Sequence, residues 1–91
     1  MKIVQIGTGG WGKNHTRILS EIGVLVAVCD ASPEKSKEYG EKYSVNYYQS
    51  LEKLLESEEF DGAFVVTPTS THTEIAMKLL ESKKHVFVEK P

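Results

Sequence analysis

Ninety-one residues with a formal net charge of −2 and 40% hydrophobic side chains fit one small globular domain. The 11 Lys and Arg residues are spread along the chain, so there is no basic patch for nucleic acid, and no apolar run approaches the ~18 residues of a membrane helix. The N-terminus has no secretory pattern, and the single cysteine, Cys29, excludes an internal disulfide and a cysteine-based metal cluster; a cytoplasmic protein without a metal is expected.

The first element is an apolar strand, Ile3 to Ile6, running straight into Gly7-Thr8-Gly9-Gly10-Trp11-Gly12. Its glycine spacing, Gly7-x-Gly9-x-x-Gly12 between a strand and a helix, is that of a dinucleotide-binding turn. Gly7 allows the sharp turn off the strand because it has no Cβ. Gly9 lets a pyrophosphate approach the main chain, and Gly12 lets the helix pack closely on the strand. The phosphates then meet a helix N-terminus, whose unpaired N–H groups and positive dipole end favour an anion. The helix spans Gly10 to Glu21, with Ile18, Leu19 and Ile22 expected on its packing face and Gly23 closing it. His15, in its first turns, faces either a cofactor or the packing beneath the glycine turn; the packing role is favoured.

Val24 to Cys29 reads as a second strand, covered on both faces, with Cys29 a small core side chain rather than a reactive thiol. Asp30 follows it. An acid about 20 residues after the first glycine is where the fingerprint places a carboxylate against the adenosine ribose hydroxyls. That carboxylate opposes a 2′-phosphate, and Ala31 supplies no Arg to neutralise one, so NAD is expected over NADP; Lys35, one helical turn on, argues the other way.

Ser32-Pro33-Glu34 starts a helix that runs to about Tyr43, with Tyr39 and Tyr43 on its packing face as core or rim residues. Val45 to Tyr48 is a short third strand, and Ser50 caps a helix over Leu51 to Glu56 with Leu51, Leu54 and Leu55 as its apolar stripe. Asp61 to Thr67 is the fourth strand, stopped by Pro68. Thr71-x-x-Glu74 reads as a capping box ahead of Ile75, Ala76, Leu79 and Leu80, and Lys83 and Lys84 suit the end of that helix. His85 to Val88 is the fifth strand, followed by Glu89-Lys90-Pro91.

Strands and helices alternate throughout, which predicts an α/β fold: a Rossmann-type doubly wound parallel sheet with strand order 3-2-1-4-5. Ligands of such sheets bind outside the carboxyl ends of the strands, and every polar feature above lies at such an end. The adenosine half of a dinucleotide falls over strands one to three. The nicotinamide half falls over strands four and five, beside Thr67, His72, Glu89 and Lys90.

The chain resembles the N-terminal domain of the glucose–fructose oxidoreductase/inositol dehydrogenase/MocA-type family over all 91 residues. The resemblance rests on Gly7 to Gly12, Asp30, the stretch Thr67-Pro68-Thr69-Ser70-Thr71-His72, and Glu89-Lys90-Pro91. It implies that Thr67, Pro68 and Thr69 border the cofactor, with His72 near the nicotinamide side, although many members carry Asn where Thr69 stands. It implies further that Glu89 holds the nicotinamide ribose, that Lys90 reaches the substrate hydroxyl and that Pro91 fixes the turn. By the same resemblance the parent is an NAD(P)-dependent dehydrogenase that oxidises a secondary hydroxyl of a sugar, cyclitol or nucleotide-linked sugar. Family members bind substrate through a second domain that also makes a homo-oligomer. The expectation is therefore that residues 1–91 form one dinucleotide-binding domain, a piece cut before the last helix and strand and inactive alone.

The alternative function is a non-catalytic NAD-sensing module, which has no need of the Lys90 ammonium beside a nicotinamide. A methyltransferase-like domain usually places an acid two residues before the first glycine, where this chain has Gln5. The glycines alone also allow a flavin, but the ends of strands four and five fit a nicotinamide enzyme better.

Overall fold

A computed structural model describes residues 1–7, 12–66 and 69–88, without the side chains of residues 12, 13, 69–73 and 88. Nine elements alternate along it: β1 (Ile3–Ile6), α1 (Gly12–Glu21), β2 (Leu25–Cys29), α2 (Pro33–Tyr43), β3 (Asn46–Tyr48), α3 (Leu51–Ser57), β4 (Gly62–Val65), α4 (Thr69–Glu81) and β5 (His85–Val88). The strands form one sheet of order β3-β2-β1-β4-β5, and every pairing is parallel. Sheet and order are those expected from the alternation, because parallel neighbours require a crossover that a helix supplies.

Register sorts the side chains between two faces. Val4 pairs with Ala27 and Ala63, Ile6 with Cys29 and Val65, and Ala63 with Val86. These residues join Leu54 of α3 and Leu79 of α4 in one apolar cluster, with Leu51, Leu55, Ile75 and Tyr48 packed against it. The other face carries Gln5 between Val28 and Phe64, and it takes α1 and α2. There His15 stacks on Phe64 with ring centroids 4.5 Å apart, and Tyr47 lies against Gly40. A Cβ at Gly40 would lie 2.7 Å from Tyr47 Cβ, so α2 depends on glycine to approach the edge strand.

The helix ends follow their local chemistry. Ser32 and Ser50 cap α2 and α3 by accepting from the backbone N–H of Lys35 and Lys53. Gly23 (φ 77°), Ser44 (φ 55°) and Lys83 (φ 60°) take the left-handed conformation after α1, α2 and α4. Each lets the following residue bond back into the last turn: Val24 N to Leu19 O, Val45 N to Gly40 O and Lys84 N to Leu79 O. Beyond that turn, Lys84 Nζ donates to Phe60 O at 2.8 Å and lies over the Phe60 ring.

Two local expectations need correction. Ile18 and Ile22 are exposed, at 46% and 64%, whereas Thr16 is fully buried and His15 and Leu19 are half-buried. At about 100° per residue, positions two and six after Thr16 fall on the far side of the helix. Apolar spacing alone selected the wrong stripe, because the packing face includes a threonine and a histidine. Thr71 is not the cap of α4, since the helix already begins at Thr69. Tyr39 and Tyr43 take the rim alternative, half-buried and stacked on each other, while the buried positions of α2 are Ser36 and Gly40.

Candidate functional site

All the strands are parallel, so their carboxyl ends share one edge of the sheet, and α1 and α4 begin there. Gly7 leaves β1 at φ 91°, a conformation costly for any side chain with a Cβ. Both its peptide groups are held. Its N–H donates to Cys29 O at 2.7 Å, and its carbonyl accepts from Gln5 Nε2 at 3.0 Å. On the other side of β1, Val66 N donates to Ile6 O at 2.7 Å, so the chain leaving β4 is tied to the same edge.

Asp30 is one residue beyond β2 and half-buried. Its N–H donates to Tyr48 O at 3.0 Å, and its Oδ1 accepts from Ser32 N at 2.9 Å. The second bond is an Asx turn, and it places the carboxylate at the sheet edge while presenting Ser32 to cap α2. A carboxylate has two acceptor oxygens, the chemistry that ribose hydroxyls require. Burial, followed by the charges of Asp30 and Glu52, pushes the Cys29 thiol up to about 11, so it is protonated and inert at neutral pH.

The structure thus brings Gly7 and Asp30 to adjacent strand ends, and it places Gly12, Thr69 and His72 at the starts of α1 and α4 by backbone position. Thr8, Gly9, Gly10, Trp11, Thr67, Pro68, Glu89, Lys90 and Pro91 lie outside the described residues. His15 takes the packing alternative, stacked on Phe64. A groove of about 410 Å³ passes Tyr47, Tyr48, Gln49, Ser50 and Lys53 at the β3 edge; it lies outside the Gly7 and Asp30 corner. Sequence reasoning missed the bond from Gln5 to the Gly7 carbonyl. The available signal was an amide inside an otherwise apolar strand, two residues before the first glycine.

The arrangement suits a dinucleotide. A left-handed glycine leads from β1 toward α1, whose start can take phosphate, and an acid ends the neighbouring strand, where ribose hydroxyls would lie. No group of three or more His, Cys, Asp or Glu among the described residues could hold a metal ion. No helix among them is long and apolar enough to cross a membrane.

Comparison with known proteins extends this geometry. Residues 1–91 match the family model described as the GFO/IDH/MocA oxidoreductase family, NAD-binding Rossmann fold. The chain is 35% identical over 94 aligned positions to a myo-inositol 2-dehydrogenase of Thermotoga maritima, covering all of this chain and 28% of that protein. It is 32% identical over 91 positions to a UDP-N-acetylglucosamine 3-dehydrogenase of Acidithiobacillus ferrooxidans, again covering all of this chain and 28% of the relative. The structure superposes with a TM-score of 0.92 on the WlbA dehydrogenase of Bordetella pertussis, solved in complex with NADH and UDP-GlcNAcA. Identity to that protein is 26%, and the match spans the whole of this chain and 29% of the other. The chain therefore spans somewhat over a quarter of the length of these relatives.

Proposed function

Since this chain belongs to the GFO/IDH/MocA oxidoreductase family as its NAD-binding Rossmann domain, we propose that it serves an NAD-dependent dehydrogenase acting on a secondary hydroxyl of a cyclitol, sugar or nucleotide-linked sugar. The observation that carries the cofactor half is the pairing of a left-handed Gly7 with Asp30 at adjacent strand ends. When bound, the nicotinamide accepts the hydride from the alcohol carbon. The chain's own residues bind and orient. Gly7 to Gly12 receive the pyrophosphate, and Asp30 accepts hydrogen bonds from the adenosine ribose. Thr67, Pro68, Thr69 and His72 border the cofactor, Glu89 holds the nicotinamide ribose, and Pro91 shapes the turn. Lys90 is the proposed catalytic residue: its ammonium donates to the substrate oxygen and stabilises the charge that develops there as the hydroxyl proton passes to a base supplied by the remainder of the parent. Substrate recognition and self-association are assigned to the remainder of a longer parent, whose compartment is the cytoplasm. Residues 1–91 alone are accordingly inactive, because nothing orients an alcohol against the nicotinamide.

NAD is the preferred cofactor, because the Asp30 carboxylate would meet a 2′-phosphate as a like charge. Titration calorimetry tests both parts. NADH binds the wild-type chain, Gly9→Val weakens that binding at least tenfold by blocking the pyrophosphate, and NADPH binds more weakly than NADH. Equal binding by Gly9→Val removes the glycine turn from the site, and equal affinity for the two cofactors removes Asp30 as their discriminator.

A further inference from the structure

Gln5 is a polar side chain where a parallel strand normally carries an apolar one. It lies mid-strand in β1, between Val28 and Phe64 of the flanking strands, and it is completely buried. Val4 and Ile6, its neighbours in sequence, point into the apolar cluster on the opposite face. A buried amide must be hydrogen-bonded to be tolerated, and Gln5 Nε2 donates to the carbonyl of Gly7, two residues ahead, at 3.0 Å. The Gly7 N–H is meanwhile held by Cys29 O. A glycine is the residue least confined by its own sterics, so a turn that begins on one stays mobile unless outside contacts hold it. Gly7 has such contacts on both of its peptide groups, one from the main chain of β2 and one from a side chain.

We infer that Gln5 is a positioning residue for dinucleotide binding: its side-chain amide fixes the plane of the Gly7 carbonyl, and with it the direction in which the chain leaves β1, before any ligand arrives. The inference rests on the cofactor reading above, and it assigns to Gln5 no contact with the ligand. Fixing the Gly7 peptide in advance lowers the entropy lost on binding, and the gain belongs to ligands that carry the pyrophosphate. A purely architectural Gln5 would affect unfolding and leave the affinity of the folded chain unchanged.

The test compares the full chain with Gln5→Met, which keeps side-chain length and removes the donor. NADH and ADP-ribose affinities are measured by titration at a temperature where thermal melts show both proteins folded. The expected result is a loss of about tenfold in affinity for both ligands, the equivalent of one buried hydrogen bond. A Kd within about twofold of wild type for both, in a folded variant, overturns the inference and leaves the cofactor reading intact. Failure of the wild-type chain to bind either ligand overturns the cofactor reading itself, and the inference with it. Should Gln5→Met not fold, NMR of the wild-type chain decides. Scalar coupling between the Gln5 side-chain nitrogen and the Gly7 carbonyl carbon is expected across the hydrogen bond, and its absence overturns the assignment.

Discussion

The two faces of the sheet are built from different materials. Beneath α3 and α4 lie Val4, Ile6, Ala27, Cys29, Ala63 and Val65, joined by Leu54, Leu79 and Phe60, without a buried polar side chain among them. Gln5, Thr16 and Ser36, the buried polar residues among those described, belong to β1, α1 and α2 on the other side. Two of them visibly serve the backbone: Gln5 Nε2 bonds Gly7 O, and Ser36 Oγ bonds Pro33 O at 3.1 Å. Apolar burial scales with area and is indifferent to direction, so it stabilises without specifying a local backbone conformation. Hydrogen bonds add modest net stability but are directional. One face therefore supplies a continuous apolar core, and the other adds directional bonds that hold Gly7 and the start of α2.

The strongest way to break this division is Leu54→Ala. Leu54 is fully buried in the apolar cluster, and its truncation should cost about 2–5 kcal/mol in chemical denaturation. NADH affinity of the remaining folded protein should be unchanged. A variant of wild-type stability, or one that stays folded and loses affinity, would show that the faces do not divide the work.

Gly40→Ala probes the other face. The new methyl group meets the Tyr47 ring and Cβ, so either Tyr47 or α2 must move, and the expected cost is about 1–3 kcal/mol. That loss exceeds the gain of up to about 1 kcal/mol in helix propensity. Adding Tyr47→Gly, which removes the Cβ as well as the ring, should return stability to near the level of Tyr47→Gly alone or above it. No such recovery would mean that the close approach is not what requires glycine.

The smallest effect is expected where α3 and α4 meet at the surface. Lys78 Nζ lies 2.8 Å from Glu52 Oε1, with side chains 41% and 64% exposed. The hydrogen bond and charge of Lys78 lower the Glu52 pKa, so the contribution of this carboxylate is present above its unfolded pKa and lost as pH falls through its folded one. Lys78, raised chiefly by its bond to Glu52, contributes below its unfolded pKa and loses that contribution as pH rises through the folded one. Glu52→Gln should therefore flatten the acid limb of the stability profile slightly, and less at high salt. An acid limb unchanged at low salt would leave the pair without a measurable role.

Sequence by itself determined the order and type of the elements, because alternating apolar strands and capped helices leave few topologies open to a parallel sheet. The strand-end position of Asp30, the sharp turn at Gly7 and the Ser32 and Ser50 caps were legible for the same local reason: each depends on chain neighbours within a turn or two. Tertiary structure decided what depends on facing. Thr16 rather than Ile18 or Ile22 is buried, because the rotation of α1 on the sheet is set by what it packs against and not by its own apolar spacing. Gly40 is required by Tyr47, which lies on a different element. Gln5, met in the sequence only as the missing acid of another fold, acquired its role once strand pairing sealed it from water and the Gly7 carbonyl came within reach of its amide.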